Sequence, residues 1–138
     1  MSTTARRGSH SVFSIHLHLV FVTKYRRKVL TGAMLERMTD ILAGVCRKAK
    51  SVLVEFNGEA DHVHLLVDLH PDNNISSLIG SLKSATSRVL RQEFSSELAL
   101  HYYSKPVLWS GAYYVASCGG APIEKIKDYI QSQETPDN

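Results

Sequence analysis

Two histidines lie one residue apart, at positions 62 and 64, in the stretch DHVHLLVDL (61–69). Because alternate residues of a strand share one face, about 7 Å apart along the chain, two imidazoles at this spacing can bind one ion. The spacing alone is weak evidence, since His16 and His18 repeat it in another apolar stretch. A pair on a half-exposed sheet face is the alternative for both, and a metal site would need a third ligand from elsewhere.

A second candidate for chemistry lies near the C-terminus, in the stretch IEKIKDYIQSQ (123–133). Tyr129 and Gln133 are four residues apart, which places them on one face of a helix. The isoleucines of this stretch form a separate apolar stripe, so Tyr129 lies near the edge of the packed face. From there a phenol can point into a cleft, although an ordinary tyrosine at the core boundary fits the segment as well.

Size and composition predict one folded domain. The chain has 138 residues, of which 43% are hydrophobic and 21% charged, as in ordinary globular proteins. Residues 1–10 are polar, and we expect them to be flexible. Cys46 and Cys118 have no motif spacing and are expected to be reduced thiols. The longest apolar stretch, 12–22, is too short to cross a membrane, and we expect a cytoplasmic protein.

The basic residues form clusters within a chain whose net charge is only +3. They lie at 24–28, at 47–50, and along 83–91. Such clusters suit a polyanion if the fold brings them to one side, whereas solvated helix faces are the alternative.

The elements that must position these residues follow from hydrophobic periodicity. The predicted order is β-α-β-β-α-β-α, which indicates a ferredoxin-like α+β fold. This fold has an antiparallel sheet of four to five strands, two helices on one face, and here an extra C-terminal helix that carries Tyr129. The predicted elements are a strand from Ser11 to about 22, a helix at 31–49, a strand hairpin at 51–57 and 62–69, a helix after the N-cap Asn74, a strand at 112–118 and a helix at 122–133.

Five stretches, in this order, carry a resemblance to a known family. They are LVFVTKYRRKVL (19–30), ADHVHLLVDL (60–69), ISSLIGSLKSATSRVL (75–90), LWSGAYYVASCGG (108–120) and IEKIKDYIQSQ (123–133). Together they resemble the single-tyrosine HUH transposases of the insertion sequence 200/605 family, over nearly the whole chain.

The resemblance implies a role for each candidate residue. His62 and His64 match the HUH motif, Gln133 matches the third metal-ligand position, and Tyr129 matches the nucleophile. His18 matches a supporting position in the first strand and not a ligand, and His16 remains a sheet-face residue. The implied reaction is cleavage and rejoining of single-stranded DNA at element ends through a 5′-phosphotyrosine intermediate.

The resemblance also implies a cofactor and partners. The cofactor is a divalent metal, Mg²⁺ or Mn²⁺, and no nucleotide is expected, since the chain has no GxxxxGK[ST] loop. The substrate is single-stranded DNA with hairpin ends. The protein would be a homodimer in which one subunit's last helix completes the other's active site, with Gly119–Gly120 as a hinge or a simple turn.

Contacts with DNA are predicted in two regions. Lys24, Arg26 and Arg27 follow the first strand, and Lys83, Ser87 and Arg88 lie on the second helix, all suited to phosphate groups. Three aromatic side chains could either stack on DNA bases or pack in the core: Trp109, Tyr113 and Tyr114.

Two alternatives stay open from the sequence. One is a non-catalytic single-stranded nucleic-acid-binding protein of the same fold. The other is a domesticated palindrome-processing relative with the same chemistry. A rolling-circle initiator is less favoured, because the chain is short.

Overall fold

The computed structural model of the chain describes residues 5–8, 12–117 and 130–132. Within these ranges the chain forms six strands, three α-helices and one 3-10 turn, and residues 130–132 are helical as well. In chain order they are β1 (Arg6–Arg7), β2 (Val12–Phe13), β3 (His16–Val22), the 3-10 turn (Lys24–Arg26), α1 (Gly32–Lys48), β4 (Val52–Gly58), β5 (His62–Asp68), α2 (Ile75–Glu93), α3 (Ser95–Tyr102) and β6 (Tyr114–Ser117).

The main sheet has four antiparallel strands in the spatial order β4-β5-β3-β6, while β1 and β2 form a separate two-stranded sheet. This order and the mixed α+β content confirm the predicted ferredoxin-like fold. Strand β3 is central because it is apolar on both faces: Leu19 and Phe21 on one side, and Val20 and Val22 on the other, are fully buried.

Helices α1 and α2 pack together over one face of this sheet. Helix α1 contributes Met34, Met38 and Leu42 to the core at four-residue spacing, and Thr31 caps its N-terminus by accepting a hydrogen bond from the Met34 amide. Helix α2 is capped by Asn74, as predicted.

Two elements of the structure differ from the predictions. The first predicted strand is broken after Phe13, so that Val12–Phe13 pairs with Arg6–Arg7 and the strand of the main sheet starts at His16. Helix α3 was not predicted, because only Leu98 and Tyr102 are buried in it and two residues make no clear apolar stripe. Most of the predicted helix 122–133 lies outside the described residues, but residues 130–132 are helical.

The N-terminal pair β1–β2 is attached to the end of the main sheet. Arg6 lies 3.1 Å from an Asp68 carboxylate oxygen through its Nε, and it donates a hydrogen bond to the Lys50 carbonyl. Its guanidinium also lies 4.9 Å from the centre of the Phe13 ring. Within the ten residues expected to be flexible, Arg6 thus contacts the folded core.

The sequence predicts that both cysteines are reduced thiols. Cys46 is a buried free thiol, and burial raises its pKa to about 11, so it stays protonated at neutral pH. Cys118 lies outside the described residues.

No helix in the described part of the chain is long and apolar enough to cross a membrane.

Candidate active site

The sheet face opposite α1 and α2 brings three histidines together. In the antiparallel register of β3 and β5, Val20 faces His64 and Val22 faces His62, and His18 lies two residues before Val20. Because alternate residues share a face, His18, His62 and His64 all project from the same side of the sheet. The two strands therefore place the predicted histidine pair and the predicted supporting histidine on one surface.

His64 is in direct contact with His18. The His18 Nδ1 and His64 Nε2 atoms are 3.0 Å apart, and the two rings are nearly parallel. Burial lowers the pKa of His64, and the neighbouring His18 and His62 lower it further, against an opposite effect of Glu55. The imidazole of His64 is therefore held neutral, which is the form that binds metal ions.

His62 has a different partner. Its Nδ1 lies 2.9 Å from the Oδ1 of the preceding residue, Asp61. Since a carboxylate only accepts hydrogen bonds, Nδ1 carries a proton, and in the neutral imidazole Nε2 then keeps its lone pair. A carboxylate held in this way behind a histidine is a common arrangement in metal sites.

Arg26 connects this carboxylate to the C-terminal part of the chain. Its Nε lies 3.3 Å from the Asp61 Oδ2, and its Nη1 donates to the main-chain carbonyl of Gln131 at 3.5 Å. Gln131 is two residues from both Tyr129 and Gln133 in the sequence. Through Arg26, the described helical residues 130–132 are thus connected to the carboxylate that contacts His62.

The donor set fits a divalent metal only if a further ligand joins the pair. Among the described residues, no group of three or more histidine, cysteine or acidic side chains could hold a metal ion. The predicted third ligand, Gln133, and the predicted nucleophile, Tyr129, lie outside those residues. His16 lies apart from the pair, buried 3.8 Å from Asp68.

The cationic residues after β3 are already engaged within the fold. The Lys24 ammonium lies 5.3 Å from the centre of the Tyr25 ring, and the Arg27 guanidinium lies 5.7 Å from the ring centre of Tyr25 and 5.9 Å from that of Tyr102. Tyr102 donates a hydrogen bond to the Lys24 carbonyl at 2.8 Å. The structure therefore holds these residues in a cation-π cluster, with Arg26 directed to Asp61.

The predicted DNA-binding residues of α2 line a groove. Ser87, Arg88 and Arg91 face the segment 106–111 across a volume of ≈ 440 Å³. Lys83 also borders this groove, but its ammonium donates to the Ser110 carbonyl at 2.7 Å, and burial lowers its pKa. Arg88 is exposed.

Of the three aromatic residues considered for base stacking, Trp109 belongs to the core. It is 8% exposed, and its Nε1 donates to the Thr86 hydroxyl at 2.9 Å. Tyr113 is half-buried, with the Lys83 ammonium 5.8 Å from its ring centre. Tyr114 is also half-buried, on β6.

Sequence reasoning missed the link from Arg26 through Asp61 to His62. Arg26 was predicted to bind DNA, and Asp61 received no role. The adjacency of Asp61 to the first histidine was the available signal, while the contact with Arg26 spans 35 positions of the sequence and has no local pattern.

Comparison with known proteins identifies the family. Residues 11–133 match the family model described as Transposase IS200 like. The chain belongs to the IS200-like transposase family. It is therefore a member of a family of DNA-processing enzymes.

Curated relatives of this IS200-like transposase match over most of their length. The transposase for insertion sequence element IS200 of Salmonella typhimurium is 32% identical over 125 residues, covering 91% of this chain and 80% of the relative. The ISDra2 transposase TnpA of Deinococcus radiodurans is 26% identical over 128 residues, covering 93% of this chain and 90% of the relative.

Two solved structures share the fold. A crystal structure of a candidate transposase from Deinococcus radiodurans has a TM-score of 0.85 and 28% identity, covering 94% of this chain and 98% of the other. A tyrosine transposase bound to a REP hairpin has a TM-score of 0.57 and 10% identity, covering 92% of this chain and 68% of the other.

Proposed function

We propose that this IS200-like transposase cleaves and rejoins single-stranded DNA at element ends through a covalent bond to Tyr129. The observation that carries the proposal is the placement of His62 and His64 on one sheet face, with Arg26 joining the carboxylate behind His62 to the helical residues 130–132. Those residues lie between Tyr129 and Gln133 in the sequence. The family membership supports the same conclusion.

His62, His64 and Gln133 would hold the divalent metal, Mg²⁺ or Mn²⁺. The neutral His64 and the Nδ1-protonated His62 each offer a nitrogen lone pair, and an amide oxygen suits a hard cation. When bound, the cation withdraws charge from the phosphate and stabilises the phenolate form of the tyrosine. This assistance matters because a phenol of pKa about 10 is ionised in only about one molecule in a thousand at pH 7.

The phenolate oxygen of Tyr129 would attack the phosphorus of the scissile phosphodiester. A bond forms between the two, and the bond from phosphorus to the 3′ oxygen breaks. The 3′ oxygen leaves as an alkoxide and takes up a proton, so the products are a 5′-phosphotyrosine and a 3′-hydroxyl. Because one phosphodiester replaces another, the 3′-hydroxyl of a second strand can reverse the step at a new junction without a nucleotide cofactor.

The proposed substrate is a single strand with hairpin ends. A protein of the same fold was solved with a REP hairpin bound. The groove along α2, with Arg88 and Ser87, is a suitable surface for the backbone of such a strand.

The covalent step is tested by incubation with hairpin-containing single-stranded DNA and Mn²⁺, followed by a denaturing gel. We expect a slow-migrating protein–DNA band that is absent with Tyr129→Phe and with His64→Ala. Tyr103→Phe is the matched control, since Tyr103 is an exposed tyrosine elsewhere, and this variant should retain the band. If DNA binds but the unaltered protein forms no band with any strand, the protein is a non-catalytic binding module instead.

We also propose that the protein forms a homodimer that completes the active site in trans, in exchange for the arrangement within one chain in which Arg26 contacts Gln131 of the same subunit. A homodimer of the Tyr129→Phe variant has no intact active site, and neither has a homodimer of the His64→Ala variant. A mixed dimer has one intact site only if tyrosine and histidines come from different subunits. Recovery of the covalent band on co-expression therefore supports the trans arrangement, and its absence in a purified mixed dimer contradicts it.

A further inference from the structure

Asp61 is held in a fixed position behind His62. Its main-chain carbonyl accepts hydrogen bonds from the Thr23 amide at 3.0 Å and from the Thr23 hydroxyl at 3.2 Å. Thr23 is fully buried at the end of β3. The Asp61 side chain is largely buried as well, with 14% of it exposed. The main chain of Asp61 is thus held by Thr23, the residue that follows β3.

Arg26 reaches this carboxylate from an unusual backbone conformation. Tyr25 and Arg26 have φ values of 59° and 53°, in the left-handed region that non-glycine residues rarely adopt. Such a conformation costs about 1–3 kcal/mol for each residue, and it persists where surrounding contacts require it. Here it directs the guanidinium toward Asp61 on one side and the Gln131 carbonyl on the other.

A single planar group thus contacts both halves of the proposed active site. Nε of Arg26 faces the carboxylate behind His62, and Nη1 faces the helical segment between Tyr129 and Gln133. A guanidinium can make both contacts because its donors point in fixed, divergent directions, whereas an ammonium is a single point of charge.

We propose that Asp61 and Arg26 are positioning residues of the transposase. Asp61 keeps the proton of His62 on Nδ1, so that Nε2 faces the metal, and Arg26 couples this carboxylate to the C-terminal helical segment. Docking of that segment and metal affinity of the histidine pair are then linked. This inference rests on the proposed function, since it assumes that His62 and His64 bind the metal.

The first test compares Asp61→Ala with Asp61→Asn, using Mn²⁺ as the probe in calorimetric titrations of the full chain. Loss of such a supporting partner typically weakens metal binding about 10- to 100-fold, which we expect for Asp61→Ala. Asp61→Asn should recover part of the affinity, because its amide oxygen still accepts from Nδ1. Equal losses in both variants would show an effect of charge alone and overturn the positioning role.

A second readout does not depend on metal. Nitrogen-15 NMR of the metal-free protein should show the Nδ1-protonated form of His62 in the unaltered chain. The proton should shift toward Nε2 in Asp61→Ala. An unchanged tautomer in a folded Asp61→Ala variant would overturn the inference.

Arg26 is tested by hydrogen exchange of the amides of residues 130–132. We expect faster exchange in Arg26→Gln, and also in Arg26→Lys, because lysine cannot make both contacts. The matched control is Arg37→Gln, which removes a similar arginine–carboxylate pair, with Glu93, on the exposed side of α1. Exchange in Arg26→Gln equal to that in the control would contradict the coupling.

The outcomes separate this inference from the proposed function. If the unaltered protein does not bind Mn²⁺, the metal site fails and this inference fails with it. If the unaltered protein binds Mn²⁺ and forms the covalent DNA band, but all the Asp61 and Arg26 variants behave like it, only the inference is wrong.

Discussion

At the scale of single residues, the two histidines of the pair have different surroundings although they lie on one strand. His64 contacts His18 on the neighbouring strand, and burial keeps it neutral. His62 is polarised by the carboxylate of Asp61. The spacing of the pair sets which face they share, whereas the two rings have different partners: His18 of the neighbouring strand for His64, and the preceding residue for His62.

A buried hydrogen bond between Thr86 and Trp109 gives a prediction at the same scale. The Thr86 hydroxyl donates to the Leu82 carbonyl at 2.8 Å and accepts from the indole at 2.9 Å. Thr86→Val keeps the shape but leaves the indole N–H without an acceptor, which should lower the free energy of unfolding by about 1–3 kcal/mol. Urea unfolding measures this change.

The control for this prediction is Thr39→Val. Thr39 makes the same kind of bond, to the Leu35 carbonyl at 3.2 Å, but it is exposed. We expect this substitution to change the free energy of unfolding by less than about 0.5 kcal/mol. Equal effects of the two substitutions would mean that the bond to Trp109 adds nothing to stability.

At the scale of elements, α2 has two separate roles. Its buried side packs Leu78, Ile79 and Leu82 against α1 and the sheet. Its outer side supplies Ser87 and Arg88 to the groove, while Lys83 holds the chain at 110–112 through two carbonyl groups. One of the residues predicted to bind DNA thus also organises the groove itself.

The N-cap of α2 is expected to contribute measurably to stability. The Asn74 side chain accepts a hydrogen bond from the Ser77 amide at 3.0 Å. Asn74→Ala should lower the free energy of unfolding by about 1 kcal/mol. Asn74→Asp should keep most of the stabilisation by the cap, because aspartate also caps helices. Thermal unfolding of both variants checks this, and equal stability of Asn74→Ala and the unaltered protein would contradict it.

The groove predicts a salt-dependent contribution of Arg88 to DNA affinity. Arg88→Ala should weaken binding of a hairpin strand and reduce the slope of log affinity against log salt by about 1. Fluorescence anisotropy over a salt series measures both. Arg47→Ala, an exposed arginine of α1 that does not line the groove, should leave the slope unchanged. If both variants had the same slope of log affinity against log salt, the DNA would bind outside this groove.

At the scale of the whole molecule, the sheet separates two environments. One face packs against α1 and α2 and forms the core, and the other face presents the histidines. The N-terminal strands extend this arrangement, since Arg6 places a cation against Asp68 at the end of β5. Arg6, near the start of the chain, thus contacts the sheet that carries the proposed site.

The anchor at Arg6 is expected to stabilise the whole fold. Asp68 is 7% exposed, so Arg6→Met would leave its carboxylate without that cation and lower the free energy of unfolding by about 1–3 kcal/mol. The double variant with Asp68→Asn should lose less than the sum of the two single changes. Urea unfolding of the unaltered protein, the two single variants and the double variant gives the coupling free energy between Arg6 and Asp68. Losses that simply add would contradict this prediction.

Arg7 provides the comparison for this anchor. It is the next residue of β1, and it is exposed. Arg7→Met should leave the unfolding midpoint nearly unchanged. A loss as large as that of Arg6→Met would point to the charge of the N-terminus and not to the contact with Asp68.

The sequence by itself determined the main sheet, the two long helices and the face of the histidine pair. Each follows from a local repeat: alternation in β3 and β5, four-residue spacing in α1 and α2, and a cap at Asn74. Helix α3 could not be found in this way, because two buried residues define no repeat.

Only the tertiary structure decided which partner each site residue has. Arg26 meets Asp61, and Gln131 lies 105 positions away from Arg26, because strand order and the turn after β3 bring them together. Lys83 likewise meets the Ser110 carbonyl through packing of α2 against a later segment. Periodicity states which side of an element a residue occupies, but contacts between distant segments depend on how all the elements pack at once.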